Sequence, residues 1–167
     1  QLTDVEVSGN EGIGVAGGDG EVVLDRVVVH DNDGGGLSGS DLTITNCAVG
    51  LKGSSNAAVF GLNLAGSGTA DIRYSTFVDN GMASEFTCAL GATLEVRNSV
   101  LARDGGVVGG DCFDAMFQNN ASTQNLGGSN QQTPPLDLGW FVNAIAGDYH
   151  LSNYGSSPFK DVASWTA

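Results

Sequence analysis

Residues Leu94 to Asp104 read Leu-Glu-Val-Arg-Asn-Ser-Val-Leu-Ala-Arg-Asp, and earlier stretches of the chain repeat the pattern. Leu42 to Lys52 reads Leu-Thr-Ile-Thr-Asn-Cys-Ala-Val-Gly-Leu-Lys, and Ala70 to Asn80 reads Ala-Asp-Ile-Arg-Tyr-Ser-Thr-Phe-Val-Asp-Asn. Val22 to Asn32 and, less completely, Leu2 to Asn10 follow the same template. One apolar position anchors each copy: Leu2, Leu24, Ile44, Ile72 and Val96, spaced 22, 20, 28 and 24 residues apart. A period in the twenties marks a stacked repeat architecture. Within each copy the residues alternate and favour β-branched types, which is strand chemistry.

Further columns follow from the anchors. Val5, Val27, Cys47, Ser75 and Ser99 form a small, inward column; Val7, Val29, Val49, Phe77 and Leu101 form an apolar one. Asn10, Asn32 and Asn80 stand just past the strand, with Lys52 and Asp104 as exceptions. Stacked coils account for this pattern, because strands about 4.8 Å apart lay equivalent side chains over one another. An Asn column suits the bend of each coil. The Gly-rich stretches Gly12–Val15, Gly34–Leu37 and Gly61–Leu64 read as corners leading into another strand. The expected fold is an all-β, right-handed parallel β-helix of about five coils with a C-terminal cap.

The expected organisation is β-helix coils over residues 1–113, then a polar loop and closing strand over 114–167, all in one structural domain. Gln118-Asn119-Asn120, Gln124-Asn125 and Gln131-Gln132-Thr133-Pro134-Pro135 carry no period and read as surface loop. The extra residues of the longest coil fall around Gly50 to Ala57. A solenoid exposes its last coil unless something covers it. Trp140, Phe141, Tyr149, Tyr154, Phe159 and Trp165 are the expected cover. An opening Gln in place of Met reads as a chain continued from upstream, so self-association or upstream coils are expected at the N-terminal end.

The formal charge is −13 with six basic residues. Such a surface disfavours nucleic acid and anionic membranes, and no apolar run approaches the roughly 20 residues of a membrane helix. Cys47 falls in the inward column as a buried free thiol. Cys88 and Cys112 stand one period apart, placed either for a bridge between the last two coils or as stacked free thiols.

The repeats, the closing Gly147-Asp148-Tyr149-His150-Leu151 and the following Gly155-Ser156-Ser157-Pro158 resemble the C-terminal portion of bacterial secreted right-handed parallel β-helix proteins of pectate-lyase-like architecture. In that family an Asp-Tyr-His-Leu strand and a Ser-Pro stop close the pattern. This chain departs in having Leu138-Gly139-Trp140 where an Asp-Pro is usual, and in ending without an anchor. The resemblance implies a secreted or cell-surface location. It also implies either a structural, glycan-facing binding role or, as the rival, a lyase or hydrolase acting on an acidic polysaccharide.

Alternation places Asp71, Arg73, Glu95 and Arg97 outward as a two-by-two charged patch, with Asp25 beyond it. Lyases of the resembled fold hold Ca²⁺ with carboxylates and use a basic residue to abstract a proton beside a uronate, so these four are the candidate catalytic residues. Opposite charges on neighbouring strands are also an ordinary stabilising device. Asp31-Asn32-Asp33-Gly34, with Asp79 stacked near it, resembles the start of a calcium loop, so Asp31, Asp33 and Asp79 are the candidate Ca²⁺ ligands. Gly17-Gly18-Asp19-Gly20 is a lone fragment of a calcium-binding repeat. The full twelve-residue loop is absent from the sequence, and no other cofactor is implied. His30 has no second His in register, which disfavours zinc. His150 reads as a packing residue of the closing strand.

Overall fold

In a computed structural model the described residues are 1–50, 56, 60–80, 84–105, 107–143 and 148–151. Its strands are β1 (Leu2–Ser8), β2 (Val15–Ala16), β3 (Glu21–His30), β4 (Leu37–Thr45), β5 (Ala48–Gly50), β6 (Phe60–Arg73), β7 (Thr76–Val78), β8 (Ser84–Cys88), β9 (Thr93–Arg97), β10 (Val100–Ala102), β11 (Met116–Gln118), β12 (Ala121–Ser122), β13 (Gln131–Gln132), β14 (Phe141–Asn143) and β15 (Asp148–Leu151). A single 3₁₀ turn, Leu138–Trp140, is the only helical element among the described residues. The strands wind into a parallel β-solenoid of about five turns.

The register follows the anchor column: Leu2 lies beside Leu24, Leu24 beside Ile44, Ile44 beside Ile72, and Ile72 beside Val96. Phe117 extends the column by one more place. Val7, Val29, Val49, Phe77 and Leu101 form a second stack through β5, β7 and β10. Val15, Leu37, Leu62 and Phe86 form a third. Strands β4 and β6 are long because each runs round a corner and serves two stacks. The three stacks enclose one core, in which Leu37, Ile44, Leu62, Leu64, Ile72, Leu94 and Leu101 are fully buried. Each such side chain stabilises the fold by about 2 kcal/mol. In the later turns aromatic rings fill the interior, with Phe86 lying 5.0 Å from Phe77 and 6.2 Å from Phe117.

Two side-chain ladders tie the corners. In the small column the amide of Val27 donates to Cys47 Sγ, that of Cys47 to Ser75 Oγ, that of Ser75 to Ser99 Oγ, and that of Ser99 to Asn120 Oδ1. These amides sit at bends where the strand ladder is interrupted, and buried N–H groups need partners. The other ladder is built of asparagines. Asn10 donates through N and Nδ2 to Asn32 Oδ1, and Asn32 does the same to Asn56 Oδ1. Asn56 Nδ2 donates to Asn80 Oδ1 at 2.7 Å. The rung expected at Lys52 is therefore occupied by Asn56: the longer third coil shifts the phase of the column. Gly14 and Gly61 flank this ladder, and a Cβ at either would meet the Asn32 or Asn80 side chain at under 3.0 Å.

Position 85 breaks the glycine column and ends the asparagine ladder. Glu85 precedes Phe86 as Gly14 precedes Val15, Gly36 Leu37 and Gly61 Leu62. Its side chain fills the place of a further asparagine, with Asn80 N and Nδ2 donating to its two oxygens at 3.0 and 2.7 Å. Arg103 stands beside it, with Nη1 3.6 Å from Glu85 Oε1, and donates to the Asn80 carbonyl.

The polar stretch after Phe113 was expected as loop, but its short strands continue the winding. β11 pairs with β9, β12 with β10, and β13 with β12, all parallel. Asn120 and Asn130 carry the small column's ladder onward there, Asn120 donating from N and Nδ2 to Asn130 Oδ1. Asn120 is fully buried in that role, although it heads a glycosylation sequon. Trp140 and Phe141 pack beside the solenoid rather than across its end. They bury Val78, Val100, Ala102 and Ala121 on the outer face of the β7–β10–β12 stack. β14 and β15 form a separate antiparallel pair. Tyr154, Phe159 and Trp165, named as parts of the cap, lie outside the described residues, as do Lys52 and most of the extra loop of the third coil.

A corner column went unread in the sequence. Asp4, Arg26, Asn46, Tyr74, Asn98 and Asn119 all adopt left-handed backbone, with φ between 51° and 56°. They form the sharp bend between the anchor stack and the next one. Asn and Asp tolerate this conformation; Arg and Tyr do so only against steric cost.

Candidate functional site

The outward side of the anchor stack carries the charged patch expected from alternation. Asp71 lies beside Glu95 and Arg73 beside Arg97. Each arginine turns back onto the carboxylate two residues earlier in its own strand. Arg73 donates from Nε and Nη2 to Asp71 at 2.9 and 2.5 Å, and Arg97 donates to Glu95. Asp71 raises the pKa of the Arg73 guanidinium further, chiefly through their hydrogen bond. Asp25 is engaged with Arg26 and Asn46 rather than with this patch. Both guanidiniums are held in ion pairs with these carboxylates.

Beside the patch a groove of about 490 Å³ runs along the anchor stack, lined by Glu21, Asp41, Thr43, Thr69, Asp71, Thr93 and Glu95 above Leu42 and Ala70. Two registered columns build it. Glu21, Asp41, Thr69 and Thr93 succeed one another across four strands, and Thr43, Asp71 and Glu95 do so two residues along. A register irregularity between Gly39 and Asp41 sets the bend from which the groove opens. Asp41 Oδ1 accepts from the Thr69 amide and hydroxyl at 3.3 and 3.2 Å, fixing one wall. Glu21, Asp41 and the two threonines were absent from the sequence-based candidates. Their columns were readable by extending the alternation two residues upstream, but the unequal coil lengths hid the bend.

The groove is therefore acidic. Each of the four arginines among the described residues is engaged with a carboxylate: Arg26 with Asp4 and Asp25, Arg73 with Asp71, Arg97 with Glu95, and Arg103 with Glu85. The arrangement offers hydroxyl and carboxylate acceptors, with Thr43 and Thr93 adding hydroxyl donors, over a short apolar floor. That is chemistry suited to holding a polyhydroxylated or cationic ligand.

The candidate calcium ligands lie elsewhere, at the corners of the coils. Asp31 and Asp79 are left-handed corner residues with φ of 53° and 49°. Asp31 contacts buried His30 at 2.6 Å, and Asp79 accepts from the Asp104 amide. Asp33 donates its amide to Asn10. Among the described residues no three His, Cys, Asp or Glu side chains converge to hold a metal ion. His30 is held from both sides, its other nitrogen 2.8 Å from Glu6.

Cys88 and Cys112 are bridged, with their Cα atoms 4.9 Å apart, so the two stacked turns are covalently joined. Cys47 is free and buried, and burial pushes its thiol up to about 11. No family model matches this chain, and neither curated proteins nor solved structures provide a match.

Proposed function

We propose that this β-solenoid is a secreted or cell-surface binding scaffold that holds a glycan along the groove of Glu21, Asp41, Thr43, Thr69, Asp71, Thr93 and Glu95. The observation that carries the reading is the regular rise of hydroxyl and carboxylate groups across four parallel strands. Strands about 4.8 Å apart present such groups at a repeat a polymer can follow. The Cys88–Cys112 bridge supports an oxidising, extracellular setting. The likeness of the repeats and closing motif to pectate-lyase-like β-helices supports a carbohydrate ligand, although fold alone does not carry function. The locked state of Arg73 and Arg97 favours binding over proton abstraction, since general base work needs a group free to take the proton.

The test is retention on immobilised polysaccharides, comparing the native chain with Thr43→Val/Thr93→Val. Retention that falls at least about tenfold in the variant supports the groove. Failure of the native chain to bind any polysaccharide overturns the reading. Incubation with polygalacturonate and Ca²⁺ tests the lyase alternative. A rise in ultraviolet absorbance from unsaturated uronates replaces binding by catalysis.

A further inference from the structure

At the C-terminal end of the groove the columns change character. Met116 lies beside Glu95 in register, so the column of Thr43, Asp71 and Glu95 continues into a thioether that is 46% exposed. Three residues earlier Phe113 is 92% exposed, and Leu90, on the turn of the preceding coil, is 96% exposed. Large apolar side chains this open are unusual when they cluster. Leu90 stands on the corner the chain takes between Cys88 and Thr93, and Phe113 on the next coil's corner between Cys112 and Met116, stacked on the first by the disulfide. The corner is rigid. The Cys88–Cys112 bridge joins the two turns, and the Cys112, Phe113 and Ala115 amides bond within the second one.

A pyranose ring has hydroxyls around its rim and a face of C–H groups, and that face packs on an aromatic ring. The negative face of a phenyl ring also attracts a cation. A shelf of Phe113 and Met116, continuous with a wall of carboxylates, therefore matches a sugar that carries positive charge. We propose that this shelf is the terminal subsite of the groove, and that the ligand is an amino-sugar oligosaccharide rather than a uronate. The inference rests on the glycan-binding reading above. Charge complementarity selects the occupant: Asp71 and Glu95 are paired with Arg73 and Arg97, but Glu21 and Asp41 leave the groove with a net negative charge that a polyuronate would meet as like charge.

The experiment compares three oligosaccharides of equal length, made of glucosamine, N-acetylglucosamine and galacturonate, by calorimetry with the native chain, Phe113→Ala and Phe113→Trp. The expected result is glucosamine oligomer binding that exceeds galacturonate binding by at least about tenfold and weakens with salt. Phe113→Ala should lose about tenfold in affinity for the glucosamine oligomer, and Phe113→Trp should keep it. Since Phe113 is exposed, the thermal midpoint of Phe113→Ala should match that of the native chain, which separates lost contact from lost fold. Equal or better galacturonate binding overturns the choice of ligand and leaves glycan binding standing. Unchanged affinity in Phe113→Ala overturns the shelf. No binding of any oligosaccharide by the native chain removes the inference and the function on which it rests.

Discussion

Glu85 is fully buried with both carboxylate oxygens accepting from Asn80. Burial pushes its pKa up to about 8, against the opposing hydrogen bonds from Asn80 and the charge of Arg103. Between the ordinary carboxylate value of 4.5 and about 8 the unfolded chain is ionised at this position while the folded chain keeps the proton. The folded state binds more protons, so its stability falls as pH rises through that window. Urea unfolding across the window should show this decline, and Glu85→Gln should flatten it. An unchanged slope in the variant would assign the decline to another group. Asn98 belongs to the same scale. Its φ of 51° means that Asn98→Ala should cost about 1 kcal/mol, while Asn98→Gly stays near neutral in the same assay.

Each corner is held by a ladder whose rungs are single side chains. Asn32 is completely buried, donates to His30 O and Asn56 Oδ1, and accepts from Asn10. Replacing it with leucine would leave several buried backbone and amide groups without partners, at about 1–3 kcal/mol each. Asn32→Leu should therefore lower stability by at least about 3 kcal/mol, and the protection of the Asn10 amide, which donates to Asn32 Oδ1, from hydrogen exchange should fall with it. The apolar columns were legible in the sequence because burial demands the same side-chain class at every turn. The ladder was legible only in part. Asn56 sits behind an insertion that changes the phase, and Glu85 does an asparagine's work from the neighbouring glycine column. The left-handed corner was hidden by Arg26 and Tyr74, which are not turn residues by type. The strands β11 to β13 were hidden because they are short and polar, and their pairing comes from stacking on earlier coils rather than from their own pattern. At the groove, alternation revealed Asp71, Arg73, Glu95 and Arg97, but not that each arginine would close on its own strand's carboxylate.

Across the whole molecule the turns contact mainly their neighbours, so stability is close to a sum of stacked interfaces. The covalent link between Cys88 and Cys112 closes a loop of 24 residues in sequence. Its removal in Cys88→Ser/Cys112→Ser should cost about 3 kcal/mol by the loop-entropy relation. The loss should fall first on the later turns, which proteolysis under reducing conditions would detect as cleavage beyond Cys88 before cleavage in β1 to β4.

The asparagine ladder has a direction. Each rung passes an amide proton forward to the coil that follows, while Asn32, Asn56 and Asn80 also donate back to a carbonyl of the coil before, and Glu85 receives the last of the forward donations. A builder wishing to lengthen this protein has a one-way scaffold. A designed coil placed ahead of Leu2 would pass its donors to Asn10 Oδ1, whereas one spliced in behind β8 finds the forward donations of Asn80 already taken by Glu85.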